Sequence, residues 1–440
     1  LRLKRTRDEA ELCMVDVVTG EVKTIINEIS KPYLNKELFR IQVENKGNDI
    51  FVWSDRSGWG HIYHYSGTGK LLNPVTSGAW TAGRILKVDT QKHRLYLYGY
   101  GREKGINPNY AFLYGVDFNG KHLQCLTPEN ATHSVFISPS ADFFVDNFSR
   151  IDTVPQVSVR SADGKLLSTI EHIDVSKLLA YGWKYPEQFT VKAADGVTNL
   201  YGIMWKPYDF DPNKKYPIVS QVYPGPFTET VWTDFTVFDR YNNTALAQRG
   251  IIVVCMGHRG GSPYRDKKYA TYCYGNLRDY ALADDKCGLE QLAKKYPFID
   301  INRVGIFGHS GGAAMAVSAM CTYPDFYKVG VASSGNHDNN IYNRTWGETY
   351  QGIGEDNHFT VKTNQELAKN LKGKLLLVTG ESDQNVHPAQ TLRLVNELIL
   401  DNKDFDMLVL PGQSHHYDPA YQSYFEKKKR DYLTQYLVNQ

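Results

Sequence analysis

From residue 1 to about 180, apolar and polar positions alternate in short runs that close on turn glycines, as in residues 13–20, 61–69, 112–120 and 157–164. Period-two alternation ended by glycine predicts half-buried strands joined by tight turns. A second apolar run follows each glycine, for example Lys70-Leu71-Leu72 and residues 165–170. The closing glycines, Gly20, Gly69, Gly120 and Gly164, stand 44 to 51 residues apart. That is the spacing of propeller blades, each a small antiparallel sheet. Independent hairpins or a β-sandwich would alternate in the same way but need no fixed period. About four such hairpins are visible. An open half-propeller would leave sheet edges bare, so further blades are expected upstream.

Beyond about Tyr185 the pattern changes to continuous apolar runs separated by helical periodicity. Runs at 216–223, 250–255, 303–307, 329–333, 374–379 and 406–410 predict strands. Residues 280–296, 313–322, 389–401 and 424–437 predict the helices between them. Strands apolar on both faces, flanked by helices, predict a doubly wound, mostly parallel sheet. Ligands of such sheets sit at the carboxyl ends of the strands.

At one of those ends stands Gly308-His309-Ser310-Gly311-Gly312, between an apolar strand and a helix of small residues. A serine held at the tip of so sharp a turn needs glycine two places before and two places after it, where side chains would collide. This is the nucleophile elbow of an α/β hydrolase. A serine hydroxyl is a weak nucleophile, so it requires a base and the base an orienting carboxylate, here expected in the chain order Ser, acid, His. Glu381 and Asp383 compete for the acid at the end of the 374–379 strand. Asp383 is favoured because the chain must turn at Gly380 before a short side chain can face the site. The next strand ends in a loop carrying His415 and His416, and loop spacing favours His415 as the base. Gly311 offers its backbone N–H to an oxyanion. Tyr223, in Val222-Tyr223-Pro224-Gly225-Pro226, is either a second oxyanion donor or ordinary packing. The histidines at 258, 309, 337 and 387 are expected to shape the cleft.

Composition narrows the picture. A net charge of +2 with 22% charged residues indicates no nucleic-acid partner. The basic run Lys427-Lys428-Lys429-Arg430 falls in a helical pattern and reads as a solvated face. Six scattered cysteines without metal spacing read as isolated thiols, and no apolar run is long enough for a membrane span. No metal or organic cofactor is implied. The chain begins with Leu, which reads as an excerpt of a longer protein.

Taken together, these motifs resemble the dipeptidyl peptidase IV branch of the prolyl oligopeptidase family. The likeness rests on Trp53-Ser54 with Ser57-Gly58-Trp59-Gly60-His61-Ile62-Tyr63, the 222–226 turn, the elbow, residues 346–352, Asp383-Gln384-Asn385-Val386-His387 and Pro411-Gly412-Gln413-Ser414-His415. It implies a partial β-propeller over 1–182, made of the C-terminal blades, followed by an α/β-hydrolase domain over 183–440. It further implies a serine exopeptidase that releases short N-terminal peptides through an acyl-enzyme, with proline or alanine preferred at P1, the residue whose carbonyl is attacked. The resemblance assigns Ser310 as nucleophile, Asp383 as orienter, His415 as base, and Tyr223 with Gly311 as oxyanion donors. It places Tyr342, Trp346 and Val386 along an apolar P1 pocket and Asn385 on a substrate carbonyl. A homodimer and a periplasmic or secreted location also follow from it. Three positions depart from the branch: His309 precedes the serine, His416 follows the base, and Trp346 stands where tyrosine is frequent. The acidic pair that would hold the substrate amine belongs upstream of this chain, which leaves the released length open. An esterase or acyl-aminoacyl peptidase on the same scaffold, or a silent binding protein, are the competing readings.

Overall fold

The computed structural model describes residues 1–239 and 241–439, which fall into two compact units. One comprises Leu1–Lys177 with the excursions Trp232–Phe235 and Ser262–Tyr272; the other comprises the remaining residues. The first unit is β throughout. A three-stranded sheet spanning Arg2–Leu3, Glu9–Val15 and Val22–Ile29 is followed by three four-stranded antiparallel sheets, which begin at Ile41, Thr81 and Thr132. Each glycine-closed run of the sequence therefore supplies a hairpin within one sheet, and the neighbouring strands complete it.

The Trp53 motif has a physical reason. Trp53 is buried, donates Nε1–H to the Ala82 carbonyl at 2.7 Å, and lies so close to Gly60 that a Cβ there would stand 2.2 Å from the indole. Only glycine fits that position. Tyr264, in the 262–272 excursion, stacks on Tyr100 with ring centroids 4.0 Å apart, and Lys267 pairs with Asp55 at 3.0 Å.

The second unit is built on an eight-stranded sheet. Its strands are β1 (Glu187–Lys192), β2 (Asn199–Trp205), β3 (Tyr216–Gln221), β4 (Ile252–Met256), β5 (Ile299–His309), β6 (Tyr327–Ser333), β7 (Lys374–Gly380) and β8 (Asp406–Leu410). They lie in the order β1-β2-β4-β3-β5-β6-β7-β8, antiparallel at β1–β2 and β2–β4 and parallel from there on. Helices α1 (Leu282–Lys295), α2 (Gly311–Thr322), α3 (Arg344–Tyr350), α4 (Ala389–Leu400) and α5 (Pro419–Leu437) fill the connections. Strands β3, β4, β6 and β7, and β5 from Val304 to Gly308, are almost wholly buried, as a sheet covered on both faces requires. The antiparallel entry pair β1 and β2 lies outside the sequence reading, which begins the sheet at 216. Its trace is the alternation of buried Phe189 and Val191 with exposed neighbours.

Two adjacent carboxylates pin α1 to the sheet. Asp285 accepts from Ser220 Oγ on β3 at 2.7 Å and from the Tyr327 hydroxyl on β6 at 2.8 Å, while Asp284 takes the Arg259 guanidinium at 2.7 Å. Buried carboxylates satisfied this fully fix helix register more strictly than apolar contact alone.

Helix α5 starts at Pro419 rather than near 424, because a proline at the first helical turn presets φ and needs no N–H acceptor. The same helix corrects the reading of the basic run. Lys427 is exposed, but Lys429 is 1% exposed. Its ammonium pairs with Glu426 at 2.7 Å, donates to the Tyr241 carbonyl at 2.8 Å and stands 4.3 Å from the Phe307 ring centre. Burial drives its pKa down, with Glu426 opposing that shift. All six cysteines are free thiols. Among the described residues, no helix is long and apolar enough to cross a membrane.

Truncating one partner of a buried pair strands the other charge, a loss of roughly 3–5 kcal/mol. Glu426→Ala should lower chemical-denaturation stability by about that amount, and Glu426→Leu with Lys429→Met should recover most of it. A single-variant loss under about 1 kcal/mol would show that the ammonium reaches solvent.

Candidate active site

Strand β5 delivers Ser310 at its carboxyl end. The serine holds φ 55°, ψ −122°, a conformation side chains rarely adopt, and its N–H donates to the Ser333 carbonyl at 2.8 Å. Such strain is worth roughly 1–3 kcal/mol and persists only where the surroundings impose it. The flanking glycines impose it. A Cβ at Gly308 would lie 2.4 Å from the Gly312 carbonyl carbon, and one at Gly312 would lie 2.0 Å from the Val222 oxygen. The elbow is thus pressed against the end of β3, the segment that carries Tyr223. Gly311 opens α2, where its N–H is among the first four of the helix and has no intrahelical acceptor. That donor and the positive end of the helix dipole favour negative charge beside Ser310.

At the ends of β7 and β8 two loops approach closely. A Cβ at Gly380 would sit 2.5 Å from both the Gln413 and Ser414 carbonyl oxygens, so only glycine lets the strands end together. The Ser382 N–H then reaches the Gln413 carbonyl at 2.8 Å. This crossing joins Asp383 to His415, whose Nδ1 lies 2.8 Å from Asp383 Oδ2. The other carboxylate oxygen accepts the backbone N–H groups of Asn385 at 2.9 Å and Val386 at 2.8 Å. Burial works to raise the Asp383 pKa, but the bond from His415 and these two amides outweigh it and hold the carboxyl below its ordinary value. With Asp383 ionised, Nδ1 of His415 is the protonated nitrogen, and Nε2 is left as the basic one. Glu381, the competing acid, is exposed and spends its carboxylate on the Gly412 N–H at 3.0 Å.

His309 packs its ring 4.7 Å from that of His415 and bonds Ser333 Oγ at 2.7 Å, while His416 stands 5.3 Å from His415 and stacks on His309 at 6.0 Å. Among the described residues, Ser310 Oγ and His415 are not hydrogen-bonded. In free enzymes that contact is commonly long and tightens with substrate.

Tyr342, Asn385 and Val386 on loops gather with Trp346 on α3. The Tyr342 hydroxyl donates to Asn385 Oδ1 at 3.2 Å, Trp346 meets Tyr342 edge-on at 5.9 Å, and Val386 is buried beside Asp383. With its oxygen engaged, the Asn385 amide has its N–H₂ to offer. His258 and His337 are buried in the frame, 3.4 Å separating His258 from Asp285, and His387 accepts the Ala389 N–H on the surface. The Asp284–Asp285 pair beneath the elbow escapes the sequence reading. Two adjacent acids inside a helical apolar pattern were its available signal.

Residues 236–440 match the model of the prolyl oligopeptidase family, and residues 1–155 match that of the dipeptidyl peptidase IV N-terminal region. Human dipeptidyl peptidase 8 is 30% identical over 359 residues, covering 78% of this chain and 39% of the relative. A probable dipeptidyl-aminopeptidase B from Aspergillus oryzae is 27% identical over 402 residues, covering 87% of this chain and 42% of its own. The chain thus spans about two fifths of these relatives' length. The crystal structure of Porphyromonas gingivalis dipeptidyl peptidase 4 superposes with a TM-score of 0.87 at 24% identity, covering 99% of this chain and 61% of that one. That likeness carries the fold.

Gly312→Ala should force β3 and the elbow apart at the 2.0 Å contact, lowering stability by roughly 1–3 kcal/mol. Chemical denaturation checks this, and an unperturbed variant would mean that the elbow is not pressed on Val222. The Asp383–His415 bond contributes stability above the ordinary carboxylate pKa that fades as pH falls through the lower folded value. Asp383→Asn should therefore flatten the acid limb of the stability profile. An unchanged limb would show that the bond adds nothing.

Proposed function

The chain belongs to the prolyl oligopeptidase family, on its dipeptidyl peptidase IV-like branch, and from that premise we propose that it is a serine exopeptidase releasing short N-terminal peptides, with proline or alanine favoured at P1. The observation that carries the reading is the 2.8 Å bond from His415 to a buried, ionised Asp383, with the His415 ring packed 4.7 Å from that of His309, next to a serine strained at a strand-to-helix elbow. Structural histidines rarely combine an oriented tautomer with a neighbouring serine of that geometry. The names of the relatives, dipeptidyl peptidase among them, support the same class.

Ser310 Oγ attacks the scissile carbonyl and passes its proton to His415 Nε2. Asp383 keeps the imidazole turned and stabilises the imidazolium. The Gly311 N–H and the Tyr223 hydroxyl receive the oxyanion. Collapse breaks the C–N bond as His415 protonates the leaving amine, and the acyl chain stays on Ser310. Water, deprotonated by His415, then attacks the ester and frees the peptide acid. The ring edges of Tyr342 and Trp346 with Val386 suit a flat P1 ring, which buries apolar area without asking for hydrogen bonds.

A fluorophosphonate probe on the full-length protein should add one adduct by intact mass, lost in Ser310→Ala. A folded protein that gains none would favour a silent scaffold. Tyr223→Phe should lower kcat by roughly 10²- to 10³-fold, the usual effect of losing one oxyanion donor. Unchanged turnover would strike Tyr223 from the site. Fast hydrolysis of simple acyl esters with no preference among peptides would favour the esterase reading.

A further inference from the structure

Beyond Ser333 at the end of β6, the chain turns through Ser334, at φ 51°, and Gly335 into Asn336 and His337. Gly335 is required there, because a Cβ would stand 2.6 Å from His337 Cε1 and Nε2. Asn336 is 8% and His337 2% exposed, so their polar atoms must find partners within the protein.

The hydrogen-bond inventory leaves one atom over on each. The Asn364 amide is oriented by its donation to the Ala314 carbonyl at 2.8 Å and by the Ser318 hydroxyl, which donates to its Oδ1 at 2.6 Å. Its second N–H therefore points to His337 Nδ1, at 3.0 Å. Nδ1 is the acceptor, which puts the imidazole proton on Nε2. That Nε2–H is buried with no partner among the described residues. Asn336 donates Nδ2–H to Asn339 Oδ1 at 2.6 Å, and its own Oδ1 is likewise buried and unpartnered. One donor and one acceptor, on adjacent residues, are left open.

Both residues line one cavity of about 40 Å³, together with Gly311, Trp346, Pro224 and Pro226. Gly311 follows the serine that attacks the P1 carbonyl, one bond from the carbon bearing the P1 side chain, and Trp346 borders the apolar pocket. The two cations on the cavity wall are already engaged: Arg278 with Asp279 at 2.6 Å and Glu366 at 3.3 Å, Lys362 with Asp279 at 3.8 Å. The cavity therefore asks for a neutral guest. It has room for a hydroxyl, since about 10–15 Å³ on the same measure already holds a water.

Resting on the peptidase reading, we propose that this cavity is a hydroxyl-binding position at the floor of the P1 pocket. His337 Nε2–H donates to a substrate side-chain hydroxyl there, and Asn336 Oδ1 accepts from it. This refines the proline or alanine preference proposed above: within each size class the hydroxylated residue, serine or threonine over alanine and 4-hydroxyproline over proline, would be preferred at P1. An apolar P1 side chain leaves both polar atoms unpaired, and a site built to bond a hydroxyl discriminates strongly against the analogue lacking it.

The test is kcat/KM on the full-length protein for Gly-Ser against Gly-Ala and Gly-4-hydroxyproline against Gly-Pro p-nitroanilides, in wild type, Asn336→Leu and His337→Phe. The expected result is a ratio of about tenfold or more for the hydroxylated member in wild type, falling toward one in both variants. Each ratio is internal to one protein sample, so partial unfolding of a variant cancels. Should neither variant fold, the wild-type ratios decide alone. Wild-type ratios near one, with Ser310 still labelled by fluorophosphonate, would overturn the hydroxyl position and mean that the cavity holds a resident water. Absent labelling and absent turnover would overturn the peptidase reading itself, and this inference with it.

Discussion

The hydrogen bond between Asp383 and His415 is what the rest of the site depends on, and it exists because two strand ends can cross without a side chain between them. Gly380 lies against the Gln413 and Ser414 carbonyls at a separation no Cβ would allow. Any larger residue would push the β8 loop outward and carry His415 away from the carboxylate. The acid is further defined by the two amides that converge on its second oxygen. An oriented, ionised carboxylate is therefore a property of the loop as a whole. The imidazole takes its tautomer from that loop.

A second constraint of the same kind operates on the other side. Gly312 brings α2 against the Val222 carbonyl, so the serine, the start of the helix and the segment bearing Tyr223 are held as one piece. Beneath them, Asp285 links α1 to β3 and β6 through Ser220 and Tyr327. The strained backbone at Ser310 is supported by close backbone contacts and a saturated polar network. Close packing of this sort transmits small displacements rather than absorbing them.

Much of this was legible in the sequence. The elbow, the order of serine, acid and histidine, and their places at strand ends are local patterns, and local patterns survive in one dimension. The glycine-closed runs likewise show the separate β sheets of the first unit. That Asp383 turns toward His415 was readable from the turn at Gly380, although the bond that occupies Glu381, to the Gly412 amide, was not. Less legible were features that depend on convergence in space. The entry strands β1 and β2 are antiparallel, and β1 is half-exposed, so it lacks the apolar signature of the central strands. Lys429 sits in a run of basic residues that reads as solvated, and only the approach of Phe307 and Glu426 makes that position interior. The open polar atoms of Asn336 and His337 depend on where Asn364 and Asn339 fall: Asn364 is remote in sequence, and the short spacing of Asn339 from Asn336 does not reveal which of their atoms meet.

The sequestered ammonium on α5 has a chemical corollary. An amine enclosed by Phe307, Glu426 and a backbone carbonyl is hidden from acylating reagents while its neighbours Lys427 and Lys428 are modified at once. Its modification must wait for the C-terminal helix to lift from the strand that leads into the elbow. Lys429 is thus a natural clock for that detachment, one whose slow acylation counts openings of the protein's interior without any probe having been introduced.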